Sequence, residues 1–198
     1  MAGLGSRDRG QVLPFYAAMM FCLLFAALVF VTVGMAGATR SDAQGAADAA
    51  ALAAAREVRD NAFVGRNLLT LTPADWDEIL RGRRFDTKGA CVKAQDFAGS
   101  NEASAVCDFN VPEFTVAVTT NDAVGDSVIP ATETLLGQAR ATALIEPRCF
   151  LDPAPTPPPP PGHVGIKCRG GGVITVDPSD PGPLHKLARK LFVVRLTD

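Results

Sequence analysis

At 198 residues the chain is long enough for one ordinary domain with additions and too short for two large ones. A net charge of −2, the lack of a basic run and a single Trp and Tyr argue against a nucleic-acid-binding protein, which needs phosphate contacts and stacking platforms. Mean hydropathy is slightly positive, +0.16, and the excess lies in one stretch near the N-terminus.

Residues 1–11 form a short polar tail. Residues 12–38, "VLPFYAAMMFCLLFAALVFVTVGMAGA", follow, and no charged side chain occurs from Gly10 through Thr39. As a helix this run is about 40 Å long, against the ~30 Å of a bilayer's hydrocarbon core. A helix satisfies its own backbone groups in lipid, so the run is expected to be a membrane-spanning helix. Pro14 is tolerated because it falls in the first turn. Gly34 and Ala38 make a small-xxx-small pair that permits close approach of another helix. The competing reading is a cleavable leader, since Arg7 and Arg9 precede the run and Ala36-Gly37-Ala38 resembles a small-residue cleavage site. The run is much longer than the roughly 7–15 residues of a leader's apolar core, which favours retention in the membrane. Arg7 and Arg9 favour a cytoplasmic N-terminus, although Arg40, Arg56 and Arg59 lie beyond the other end.

Residues 39–61 contain "RSDAQGAADAAALAAAR". Alanine is the best helix former and adds little side chain to a core. Arg40, Gln44 and Asp48 make one polar stripe, and Arg56 and Asp60 are spaced as an i, i+4 pair. Ala43, Ala47, Ala50 and Ala54 fall on the other side. The expectation is a thin helical stalk, about 30 Å long, whose alanine face packs against neighbouring copies.

Residues 62–150 read as an α+β domain. Thr72-Pro73-Ala74-Asp75 has the signature of a helix start, with Trp76, Ile79 and Leu80 on one side and an end near Gly82. A second helix is expected over 87–98, with Val92 and Phe97 in the core. "EFTVAVTT" alternates Phe114, Val116 and Val118 against polar residues and reads as a strand, as does "QARATALIEPR". Residues 151–162 hold a proline-rich linker of polyproline II type. Residues 163–198 supply two more strands, "GGVITV" and "KLFVVRL", packing on the same domain.

Catalytic patterns are lacking. His163 and His185 have no metal-ligand partner at helical spacing, and no nucleophile elbow, phosphate-binding glycine loop or His-Glu-x-x-His occurs. No enzyme, cofactor, metal site or small-molecule substrate is expected. Cys22 lies inside the apolar run as a packing residue. The other four cysteines are all downstream, an even number that fits two disulfides in an oxidising compartment. Four cysteines allow three pairings. Cys91–Cys107 with Cys149–Cys168 is preferred because each closes a short local loop.

Taken together, "RDRGQVLPFY" at the membrane entry, "RSDAQGAADAAALAAA" after the apolar run, and "FDTKGAC", "VGDSVIPATE" and "IEPRC" further on resemble the TadE/TadG-like proteins of Flp (tight adherence) pilus assembly. The resemblance implies a pseudopilin or minor-pilin-like structural component. It would have a long N-terminal helix, a small pilin-like α+β head with an antiparallel sheet outside the cell, and the membrane and other pilins as partners. In pilins of this system a prepilin peptidase cuts after a Gly, with Glu and Tyr at the fifth and sixth mature positions. That implies processing between Gly10 and Gln11; Tyr16 then stands sixth, while the fifth position holds Phe15 in place of Glu. The Asp-x-Ser-x-Ser metal motif of larger relatives does not occur in this chain. The second functional reading, from the residues alone, is a secreted or membrane-anchored surface binding protein with a disulfide-bonded head.

Overall fold

The computed structural model describes residues 12–123, 134–152, 154 and 158–197. One helix, α1 (Val12–Asp60), runs without a break through both the apolar run and the alanine-rich segment. Its 49 residues give a rod of about 73 Å. After a short 3₁₀ turn (Leu68–Thr70) come α2 (Pro73–Leu80), α3 (Ala90–Gly99), β1 (Ala103–Asn110), β2 (Glu113–Ala123), β3 (Leu136–Pro147), β4 (Cys149–Leu151), β5 (Val164–Cys168), β6 (Val173–Val176), α4 (Leu184–Leu191) and β7 (Phe192–Thr197). The class is α+β, with two antiparallel sheets ordered β1-β2-β3-β7 and β4-β5-β6.

Alternation decides which face of the larger sheet is covered. Phe114, Val116 and Val118 stand opposite Ala143, Ala141 and Ala139 on β3, and this face is closed by α1. The other face carries Thr115 and Thr142, whose hydroxyls lie 2.9 Å apart. The strand expected over "KLFVVRL" is β7, which returns to the edge of β3. The residues before it form α4, which the sequence reading missed. Leu184, Leu187, Ala188 and Leu191 recur at i, i+3, i+4 and i+7, and the last three are buried.

The alanine-rich helix is not a free stalk. Ala43, Ala47, Ala50 and Ala54 are fully buried inside the chain's own head, as are Ala46, Ala51, Ala55 and Val58. This half of α1 is the central element of the core, touched by β1, β2, β3, β7, α3 and α4. Small side chains explain it: a helix enclosed on several sides has room only for methyl groups, each contributing about 0.8 kcal/mol when removed from water. The same logic corrects the reading of α3. Val92 and Phe97 are 59% and 47% exposed, while Ala90, Ala94 and Ala98 are buried. The stripe that lets α3 lie close to α1 is the small one.

At the start of α2, the Thr72 hydroxyl accepts from the Asp75 backbone N–H at 3.2 Å. The Asp75 carboxylate accepts from the Thr72 backbone N–H at 3.0 Å, completing the capping box. Gly82, with φ +75, takes the left-handed turn just beyond α2 that other residues avoid. Trp76, Ile79 and Leu80 are buried as expected.

The disulfides are Cys91–Cys107, tying α3 to β1, and Cys149–Cys168, joining directly opposed residues of β4 and β5. Their sequence separations are 16 and 19 residues, a loop size for which cross-linking contributes about 3 kcal/mol in the chain-entropy model. Pro153, Pro155 and Pro157 of the linker lie outside the described residues.

Candidate functional site

The feature that sets this chain apart from an ordinary small domain is the bare half of α1. Pro14–Val31 has a mean hydropathy of 2.3, and none of it is buried by the rest of the protein. Eighteen residues rise about 27 Å, close to the thickness of a hydrocarbon core. Phe15 and Phe30 are 78% and 82% exposed. An apolar surface of this extent on all sides of a helix has the length and composition to cross a membrane. Gly34 and Ala38, expected to pack against another helix, are exposed on the same segment, and a Cβ added to Gly34 would meet nothing within 4 Å. Cys22 is exposed here as a free thiol. Gly10 and Gln11, the implied processing residues, lie outside the described residues.

Just beyond, the helix enters the head through a tight collar. Gly137, at the start of β3, lies so close to α1 that a Cβ there would stand 2.6 Å from the Thr39 carbonyl oxygen and 3.1 Å from the Ala43 methyl. The Gly137 N–H donates to the Thr120 hydroxyl at 2.8 Å, fixing β2 and β3 together at this point. The sequence reading placed no role on Gly137; a lone glycine in a strand is a signal of close backbone approach.

At its far end α1 is held by charge. Arg189 of α4 donates to Asp60 through Nη2 at 2.7 Å and through Nε at 3.2 Å, and Arg59 pairs with the same carboxylate at 2.8 Å. Burial pushes the Asp60 carboxyl up, but the hydrogen bonds from Arg189 and Arg59 outweigh it and hold the group below its ordinary value. The expected Arg56–Asp60 pair is replaced by these partners, because α4 brings a guanidinium from 129 residues away. On the polar stripe, Gln44 donates to Asp48 at 2.8 Å as its spacing allows.

Among the described residues, no group of three or more His, Cys, Asp and Glu is placed to hold a metal ion. His163 lies 3.7 Å from Asp177 at the surface, and the Asp177 carboxyl is held low by the Ser179 hydroxyl and backbone N–H. What the geometry can do is couple: an exposed apolar rod continues, with no break in the helix, as the core of a cross-linked head.

No curated protein and no solved structure matched the chain. A family model did match, over residues 10–57, about a quarter of the chain. That segment covers the exposed apolar half of α1 and nearly all of its buried half. Over residues 10–57, therefore, the chain carries the signature of the family described as putative Flp pilus-assembly, TadE/G-like.

Proposed function

We propose that this protein is a structural component of a Flp-type pilus, minor-pilin or pseudopilin-like, and that it has no catalytic role. It sits in the cell membrane through α1 with its N-terminus in the cytoplasm. The disulfide-bonded head lies outside, and the lipid-facing half of the helix packs beside the helices of other pilins in membrane and filament. The observation that carries this reading is the coincidence of the family match with the unbroken helix from lipid into head. Two disulfides in the part beyond the membrane segment support an oxidising exterior. The packing surface of this reading is the exposed apolar half around Gly34 and Ala38; the alanines from Ala43 onward are occupied within the head.

Deletion of the gene followed by electron microscopy of surface filaments, with complementation, tests the role. Loss of filaments in the deletion strain, or presence of the chain in filaments sheared from the parent, is expected; normal filaments in the deletion strain together with absence of the chain from the parent's filaments would defeat the reading. Intact-mass measurement of the exported protein tests processing: a start at Gln11 indicates peptidase cleavage, and a start at Met1 or Ala2 indicates an uncut anchor.

A second reading, a secreted surface-binding head, is favoured by one observation. The head's packing begins at the Thr39–Ala43 collar, so a cut after Ala38 would release the folded part whole. A mature mass starting at Thr39 would support it.

A further inference from the structure

The head carries opposite charge at its two ends. At the end away from the membrane segment, a groove of about 700 Å³ opens beside the last turn of α4 and the ends of β3 and β5. Arg148, Arg169, Arg189 and Lys190 line it, and Glu146 is the one carboxylate in its lining. Glu146 is bound by Arg169 at 2.7 Å and Arg195 at 3.0 Å, and Arg189 is engaged by Asp60. Arg148 and Lys190, both exposed, have no carboxylate partner among the described residues. Like charges gathered around one groove repel, in a chain whose net charge is −2. An anionic surface docked there relieves the repulsion.

The chain itself presents such a surface. At the collar end, Asp42, Glu102 and Asp122 are exposed around a recess whose lining contains no Lys or Arg. None of the three is ion-paired among the described residues. Asp42 and Asp60 are separated along α1 by 18 residues, a rise of about 27 Å, so the two surfaces lie at opposite ends of the head.

We propose that the basic groove docks the acidic recess of a second copy of this chain, head to tail. The proposal deepens the pilus reading and rests on it. Because the two patches differ, the contact is heterologous, and repetition gives an open row rather than a closed dimer. Copies anchored at equal depth in one bilayer hold their basic grooves level with each other and well above each other's recess. The contact therefore forms when one copy is displaced along its helix axis by about the length of the head. It belongs to molecules that have left the bilayer for the filament.

The test uses the full chain in cells, in a Cys22→Ser background. Lys190→Cys with Asp122→Cys should give an oxidation-dependent ladder of cross-linked chains in the sheared filament fraction, which neither single variant gives. Separately, Arg148→Glu with Lys190→Glu, and Asp42→Lys with Asp122→Lys, should each lower the amount of chain in that fraction at least tenfold. Combining the two sets should restore most of it, an outcome that misfolding cannot produce. No ladder, or a combination no better than either half, while the chain is still found in filaments, overturns the docking and leaves the pilus reading standing. Absence of the wild-type chain from filaments overturns both.

Discussion

Two glycines, one on β3 facing α1 and one on the exposed side of α1, make opposite predictions. At position 137 any side chain meets the Thr39 backbone at 2.6 Å, and the obstruction is main chain that cannot swing aside. Gly137→Ala should destabilise the head by about 1–3 kcal/mol, as overpacking does. The loss will appear as a lower denaturation midpoint of the detergent-solubilised chain. Gly45 lies inside α1, exposed, with nothing within 4 Å of an added Cβ. Gly45→Ala removes only the entropy cost of a helical glycine and should stabilise by about 0.5–1 kcal/mol in the same measurement. Asp60 gives a pH signature. Its folded carboxyl is held below the ordinary value of 3.8, so its contribution to stability is complete above that value. The contribution is lost as pH falls through the lowered folded value. Asp60→Asn should therefore be less stable than the parent by a constant margin from pH 7 to pH 5. That margin should shrink on acidification below the carboxylate range, as read from thermal melts across pH.

Among the elements, α1 carries the clearest test of what alanine does here. Ala47 and Ala50 are fully buried between helix, sheet and α3. Ala47→Leu should cost about 1–3 kcal/mol of head stability, with a matching fall in the melting midpoint of the isolated protein. A surface-packing role for Ala47 would instead leave that midpoint unchanged. Most of the elements were legible in the sequence. The uncharged run, the Thr72-Pro73 start, the alternation of Phe114, Val116 and Val118, and the strand at "KLFVVRL" each follow from local rules, as does the preferred cysteine pairing. What stayed hidden was which surface each element turns inward. An alanine stripe reads as an assembly face or as a crowded core, and only the sheet brought across it decides. Val92 and Phe97 looked like core because they are large, yet α3 buries Ala90, Ala94 and Ala98 to reach α1. Arg189 and Asp60 meet across 129 residues, beyond any local pattern. The α4 helix was different: its Leu184-Leu187-Leu191 spacing was readable and was obscured by the proline-rich turn before it and the strand after it.

On the scale of the whole molecule, the chain divides functionally at the collar although the helix does not. A fragment beginning at Thr39 keeps every residue of α1 that is buried among those described, and it should be soluble, form both disulfides and melt cooperatively. A fragment beginning at Ala62 lacks the helix that β2, β3 and α3 cover, and it should remain unfolded by circular dichroism. Solubility of the first with folding of the second would mean that α1 is dispensable to the core. The unbroken helix also makes the molecule a lever. From Val31 to Asp60 the rod rises about 43 Å, so leaning by roughly 20°, an ordinary inclination for a spanning helix, carries its outer end about 15 Å sideways. The head has no hinge with which to cancel that swing. In the proposed membrane setting, bilayer thickness and neighbouring helices would set the lean and so aim the outermost surface from within the lipid.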